Sequence, residues 1–245
     1  MKPLVPYKSV LILTATLCIS SAGWAQEIPA DGFLSPGRAP DSLALLPPPP
    51  ADNSIAFLAD QAAYRQATEL SDPQRVQQAI RDADFMHFEH AFSKALGLPI
   101  SAKHTPRLYH LLQGVLHDSL DQAMMSAKDH YQRTRPFVFF QRSSCTPDQE
   151  AMLARNGSYP SGHASFGWAT ALVLAQINPA RADEILRRGY EFGQSRVMCG
   201  VHWQSDVTSG RLLGAAVVSA LQASPRFAQA LEQAQREFAR LSARP

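Results

Sequence analysis

Cysteine is scarce in this chain, three in 245 residues, and charges of the two signs nearly balance, for a net +2. There is no alternating run of strand period, no internal repeat, no glycine-rich nucleotide fingerprint and no apolar run long enough to span a membrane. Each absence excludes a class. Without period-two alternation a sandwich or barrel has no strands to build from. Without a Gly-x-Gly-x-x-Gly turn there is no dinucleotide-binding unit. The charge falls closer to zero if Lys2 and Lys8 leave with an N-terminal segment that holds no acid, which argues against a nucleic-acid polymer as partner. The apolar stretches 10–19 and 210–221 fall well short of the ~20 residues a spanning helix needs, so stable membrane insertion is not expected.

What is present begins with an address. Residues 1–25 combine basic Lys2 and Lys8, the apolar stretch 10–19 and a Gly23-Trp24-Ala25 end, the layout of a secretory signal cut between Ala25 and Gln26. Leu17 is not the small residue that a lipid-attachment box needs before Cys18, so no lipid anchor is expected. The expected location is periplasmic or secreted. Cleavage leaves Cys145 and Cys199, and an even pair in an oxidising compartment can form a bridge tying two loops together. Two separate buried thiols are the alternative.

The length suits one domain with a terminal arm. Residues 26–53, with Pro47 to Pro50 consecutive, read as a proline-rich extended arm. From 54 to 245 the period is helical. The pattern predicts helices over 55–70, from Asp72-Pro73 to about 95, and from Thr105-Pro106 to about 131 with Lys128 near the end. A loop follows over 142–160, then helices over 165–176, 181–194, 207–221 and 225–241. The expected fold class is all-α, a compact single-domain helical bundle.

Three stretches carry chemistry: Lys128 with Arg135-Pro136, then Pro160-Ser161-Gly162-His163, then Ser195-Arg196 followed by His202 and Asp206. A lone lysine or arginine is usually a solvated surface charge, and Ser161-Gly162-His163 alone would be an ordinary helix cap. The set says more. A phosphoryl group in flight spreads negative charge over three oxygens, which fixed cations can meet in place of a metal. Pro136 holds Arg135 extended. The turn at Ser161 opens an apolar helix whose free N–H groups suit an anion, with Gly162 permitting close approach. His202 and Asp206 stand four apart, so the carboxylate can fix one ring nitrogen and leave the other as a nucleophile. One histidine with one aspartate lacks the ligands of a catalytic zinc site, so no metal is expected. His87 with His90, and His110 with His117, have helical spacing but no third partner.

This three-part pattern resembles the motif of the type 2 phosphatidic-acid phosphatase and vanadium haloperoxidase superfamily. Within it, the strings from Asn156 to His163 and from Ser195 to Asp206 are similar to those of the bacterial class A non-specific acid phosphatases, as are those from Asn53 to Gln61 and from Ala169 to Ala175. The resemblance implies an all-helical periplasmic acid phosphatase that needs no cofactor or metal, acts on small phosphomonoesters, also transfers phosphoryl groups to alcohols, and forms a homo-oligomer. It implies His202 as nucleophile, Asp206 as its orienting partner and His163 as the acid. Lys128, Arg135, Ser161, Gly162 and Arg196 become the cradle for phosphate or vanadate. One stretch departs from the pattern: where relatives carry Ser-Ser-Gly-Gly before an Asn-Ala-Phe-Ser string, this chain has Asp84-Phe85-Met86-His87 before His90-Ala91-Phe92-Ser93. The rival functions are a vanadium-dependent haloperoxidase and a periplasmic phosphate- or phospholipid-binding protein.

Overall fold

The computed structural model describes residues 32–69 and 72–243, so the expected signal segment lies outside the described residues. Twelve α-helices are described: α1 (Ser42–Leu45), α2 (Ile55–Glu69), α3 (Pro73–Asp82), α4 (Glu89–Leu96), α5 (Pro106–His117), α6 (Met125–Tyr131), α7 (Pro136–Phe139), α8 (Glu150–Leu153), α9 (Gly162–Ile177), α10 (Ala182–Met198), α11 (Gln204–Gln222) and α12 (Pro225–Ser242). No strand occurs among the described residues, and the all-α bundle read from the sequence is the fold. No described helix is long and apolar enough to cross a membrane.

The bundle is built around α9. Its residues Gly162 to Ile177 include none that is exposed, as a helix apolar all round must be when other helices enclose it. Neighbouring backbones come close because small residues line the seams. A Cβ at Gly210 would lie 2.4 Å from the Ser161 carbonyl, one at Gly214 would lie 2.3 Å from that of Ser165, and one at Gly189 would meet Ala171 at 2.4 Å. These pairings set direction. Positions 161 and 165 match 210 and 214 in the same sense, whereas 164 and 171 match 193 and 189 in the opposite sense. So α9 and α11 start at the end of the bundle where α10 finishes, and Ser161, Arg196 and His202 are gathered there.

Two predicted helices are each broken in the structure. The run from 73 to 95 divides into α3, a 3₁₀ turn over Phe85–His87, and α4. The Ala83 carbonyl, which a continuous helix would use for its own ladder, lies 3.1 Å from His163 Nε2 instead. The run from 106 to 131 passes through a π-helical turn, Asp118–Gln122, before α6. Ser42 Oγ enters the ladder there, donating to the Met124 carbonyl and accepting from Ala127 N, each at 3.1 Å. The 142–160 loop also contains a 3₁₀ turn, Pro147–Gln149, and α8.

The proline-rich segment, described from residue 32, has turns closed by Arg38 N to the Ser35 carbonyl and Ser54 N to the Ala51 carbonyl besides the single helical turn α1, and it is pinned to the bundle. Phe33 and Leu34 join the main core, and their amides donate to the buried Asp118 carboxylate at 2.8 and 3.3 Å. The Tyr159 hydroxyl donates to the Pro47 carbonyl at 2.5 Å. The segment thereby braces both α6, which carries Lys128, and the turn that leads into α9.

Cys145 and Cys199 form a disulfide across 54 residues of sequence, and Cys145 N also donates to the Cys199 carbonyl at 3.1 Å. Closing a loop of that length restricts the unfolded chain by about 4 kcal/mol in the simple entropy model. Thiol titration of a denatured chain lacking residues 1–25 should find no free thiol before reduction and two after it. Replacing both cysteines by alanine should lower the urea midpoint; an unchanged midpoint would show that the bridge contributes nothing.

Candidate active site

Each side chain at this end of the bundle is placed by a local feature of its own element. Arg135 caps α7 in extended geometry, φ −76° and ψ 151°, with Pro136 following as expected. Its guanidinium is enclosed by carbonyls: Nε donates to Leu153 and Asn156 at 2.8 and 3.0 Å, Nη1 to Val201 at 2.9 Å, and Nη2 to Gly157 at 3.2 Å. Lys128, in the last turn of α6, donates from Nζ to the carbonyls of Gly157 at 2.7 Å and Pro160 at 3.2 Å. Burial, and then the nearby Arg135 charge, push its pKa down to about 7, while burial lowers that of Arg135 to about 10.

Arg196 is the exception among these cations. It is completely buried at the end of α10, yet its Nε and Nη1 have no hydrogen-bond partner in the protein. Burial first, and then the Arg135 charge, bring its pKa down to about 9, so it remains a guanidinium at any ordinary pH. A buried guanidinium with two unpartnered nitrogens is a costly arrangement unless an acceptor meets it. An anion would do so.

Ser161 is the N-cap of α9, its Oγ accepting from Ala164 N at 3.3 Å. Gly162 is there for close packing, since a Cβ would lie 2.6 Å from Met124 Sδ. His163, next in line, has Nε2 3.1 Å from the Ala83 carbonyl, which can only accept; Nε2 therefore carries hydrogen and Nδ1 is the second proton site. Phe85, from the divergent 84–87 stretch, stands edge-on to the His163 ring at 5.2 Å between centroids.

His202 lies just before Trp203, the N-cap of α11, and Asp206 is that helix's third residue. Asp206 Oδ2 accepts from Trp203 N at 2.8 Å and lies 3.3 Å from His202 Nδ1. On the other side of the ring, Arg135 Nη1 is 3.1 Å from Nε2. A carboxylate only accepts and a guanidinium only donates, so the hydrogen sits on Nδ1 and the lone pair on Nε2. Burial drives both His163 and His202 well below the ordinary histidine range, with Arg196 the next cause for His163 and Arg135 for His202.

The PAP2 superfamily model matches residues 108–228. A non-specific acid phosphatase of Providencia stuartii is 48% identical over 211 residues, covering 85% of each chain. One of Salmonella typhi is 44% identical over 208 residues, 84% of this chain and 83% of that one. An acid phosphatase of Zymomonas mobilis is 35% identical over 201 residues, 81% and 75%. The chain belongs to the PAP2 superfamily.

All eight residues singled out for the PAP2 motif meet at this end of the bundle. Ser195 does not share their orientation. It turns to the outside of the site, donating to Asp82 Oδ2 at 2.6 Å and accepting from Arg75 at 3.0 Å, and thus ties α10 to α3. Sequence reasoning missed the layer behind Asp206. Arg133 Nη1 donates to Asp206 Oδ1 at 2.6 Å, and Nη2 to Asp60 Oδ2 at 2.8 Å. Asp60 Oδ1 in turn accepts from Ser205 N at 2.8 Å. The only signals were indirect: Arg133 lies inside the Lys128-to-Arg135 spacing, and Asp60 lies in the 53–61 string whose sequence resembles the class A acid phosphatases.

Because burial and neighbouring cations both disfavour imidazolium, His163 and His202 should be neutral in the ligand-free protein at mildly acidic pH. The exposed His87 is shifted the other way by its contact with Asp84. Side-chain NMR should find two histidines titrating well below 6.5 and His87 above it. A His202 midpoint at or above 6.5 would contradict the electrostatic picture.

Proposed function

We propose that this PAP2 acid phosphatase hydrolyses small phosphomonoesters in two in-line displacements, through a phosphohistidine on His202. The observation that carries the reading is the lone pair on His202 Nε2, fixed by Asp206 behind the ring and lying beside buried Arg135. Arg196 supplies two unmet donors. In this reading Lys128, Arg135, Arg196, Ser161 and the Gly162 amide hold the three phosphoryl oxygens, and inorganic phosphate or vanadate occupies the same cradle.

In the first step Nε2 forms a bond to phosphorus as the P–O bond to the leaving group breaks. His163, as imidazolium, keeps Nε2–H on the Ala83 carbonyl and gives its Nδ1 proton to the departing oxygen. In the second, water attacks phosphorus, the N–P bond breaks, and His163 takes the proton from water. An alcohol in place of water would make the enzyme a phosphotransferase.

The charge states give the pH dependence its sign. A bound phosphate anion offsets the cations that depress His163, so its acid form is recovered on binding at acidic pH. As pH rises, His163 loses that proton, and Lys128 loses its charge near 7. Activity should fall on that side. The fixed cations support a scheme without metal, and among the described residues no three His, Cys, Asp or Glu side chains form a ligand group. Export to the periplasm or beyond and assembly as a homo-oligomer complete the proposal.

Four measurements test it. Chelators should leave turnover intact, whereas orthovanadate should compete with substrate; loss in EDTA restored by a divalent ion would overturn the metal-free scheme. His202→Ala should be inert on every phosphoester. His163→Ala should retain its first step on nitrophenyl phosphate and lose it on sugar phosphates, because general-acid help of ~10²–10⁴-fold matters chiefly for a basic leaving oxygen. Equal losses on both substrates in rapid-mixing experiments would remove His163 as the acid. Turnover of halide and peroxide by the vanadate-loaded protein, with no phosphatase activity, would favour the haloperoxidase reading.

A further inference from the structure

We propose that Arg133, held between Asp206 and Asp60, is a positioning residue that sets how far into acid His202 stays unprotonated. This rests on His202 as the nucleophile.

The reasoning starts from a conflict in the site. A carboxylate on Nδ1 orients the ring, but its negative charge also stabilises imidazolium, and an imidazolium has no lone pair to attack with. Asp206 is fully buried, so nothing from solvent screens that attraction. An enzyme working at low pH needs the orientation without the basicity.

Arg133 supplies the separation. Burial pushes the Asp206 pKa up, and Arg133 opposes that by donating to Oδ1, the oxygen that His202 does not use, at 2.6 Å, so it favours the charged carboxylate and fixes its direction while cancelling part of its field. Arg133 is itself almost buried, stacked over Phe57 and Trp203 at 5.7 and 5.5 Å. Its own charge is limited in turn by Asp60, at 2.8 Å from Nη2. The order His202, Asp206, Arg133, Asp60 is therefore an alternating chain of charge leading away from the reacting nitrogen. Arg133 contacts none of the proposed cradle atoms.

Other charged groups face the pair from every side. Lys128 from α6, Arg135 from the start of α7, Arg196 from α10 and His163 from α9 all disfavour imidazolium at His202 when charged, and Tyr159 from the preceding turn is a neutral neighbour at acid pH. They surround the phosphate-binding side, where a bound dianion offsets them. Arg133 lies on the far side of Asp206, where substrate does not neutralise it, so its effect persists through the catalytic cycle.

Removing Arg133 and removing Asp60 must then act in opposite directions. With Arg133→Gln, the uncompensated Asp206 raises the proton affinity of His202. The acid limb of kcat/KM should move up by about one pH unit, roughly a tenfold loss on that limb, with KM at the optimum little changed. With Asp60→Asn, the guanidinium is less countered and the limb should move down. Arg133→Lys, which keeps the charge, should restore most of the wild-type limb even where packing suffers. Histidine side-chain NMR of the same variants reads His202 protonation without any turnover, so a failed nucleophile assignment would leave His202→Ala active while these titration shifts persisted. Shifts of the same sign in the glutamine and asparagine variants, or none in either, would reduce Arg133 to a packing residue. If Arg133→Gln does not fold, the downward shift in Asp60→Asn and the near-wild-type limb in Arg133→Lys decide the matter alone.

Discussion

Positive charge held out of water is the constraint on which the rest of this structure depends. Lys128, Arg135 and Arg196 share one small volume and are at most 3% exposed. Removing a cation from water costs several kcal/mol after relaxation, and placing three together adds repulsion. The carbonyls of Leu153, Asn156, Gly157, Pro160 and Val201 answer for Lys128 and Arg135. Irregular chain is needed for this, because a helix directs its carbonyls along its own axis and has few to spare. The loop before α9 and the short link before α11 are folded back for that purpose, and the Cys145–Cys199 bridge ties them together.

Negative charge is kept one layer outward. Among the acids of the described residues Asp206 alone reaches His202, while Asp60 and Asp82 sit behind cations or hydroxyls: Asp60 on Arg133 and Ser205, Asp82 on Arg188 and Ser195. The inner surface is left attractive to an anion and the protein as a whole stays near neutral. That distribution also explains the two depressed histidines. His202 is buried and His163 partly buried beside guanidinium groups, and among the described residues no carboxylate contacts His163, while the one on His202 is offset by Arg133.

The helical frame supplies precision. Small residues along α9, α10 and α11 let backbones meet, so the starts of α9 and α11 and the end of α10 are placed by close contact rather than by flexible side chains. The divergent 84–87 stretch acts on this frame from outside. It ends α3, frees the Ala83 carbonyl for His163, and sets an aromatic ring beside the same imidazole.

Helix period, proline placement and the three motif strings were enough to determine an all-α bundle and the set of residues that meet in the site, because each is a short-range property: apolar spacing, a cap, a proline after Arg135. The breaks at Ala83 and near Met124 were not legible, since each follows from a partner far along the chain, His163 in one case and Ser42 in the other. Nor could α2 be oriented from composition. Its most apolar residues, Ile55 and Leu58, face outward, and it turns Phe57, Asp60 and Tyr64 inward because Arg133 and Ser205 need the carboxylate. Local sequence determined the helical class and the residues proposed to react. Tertiary structure decided which nitrogen of His163 carries the proton, that Arg135 faces His202 Nε2, and which charges stand behind Asp206, because each depends on hydrogen bonds between residues with no spacing relation in the chain.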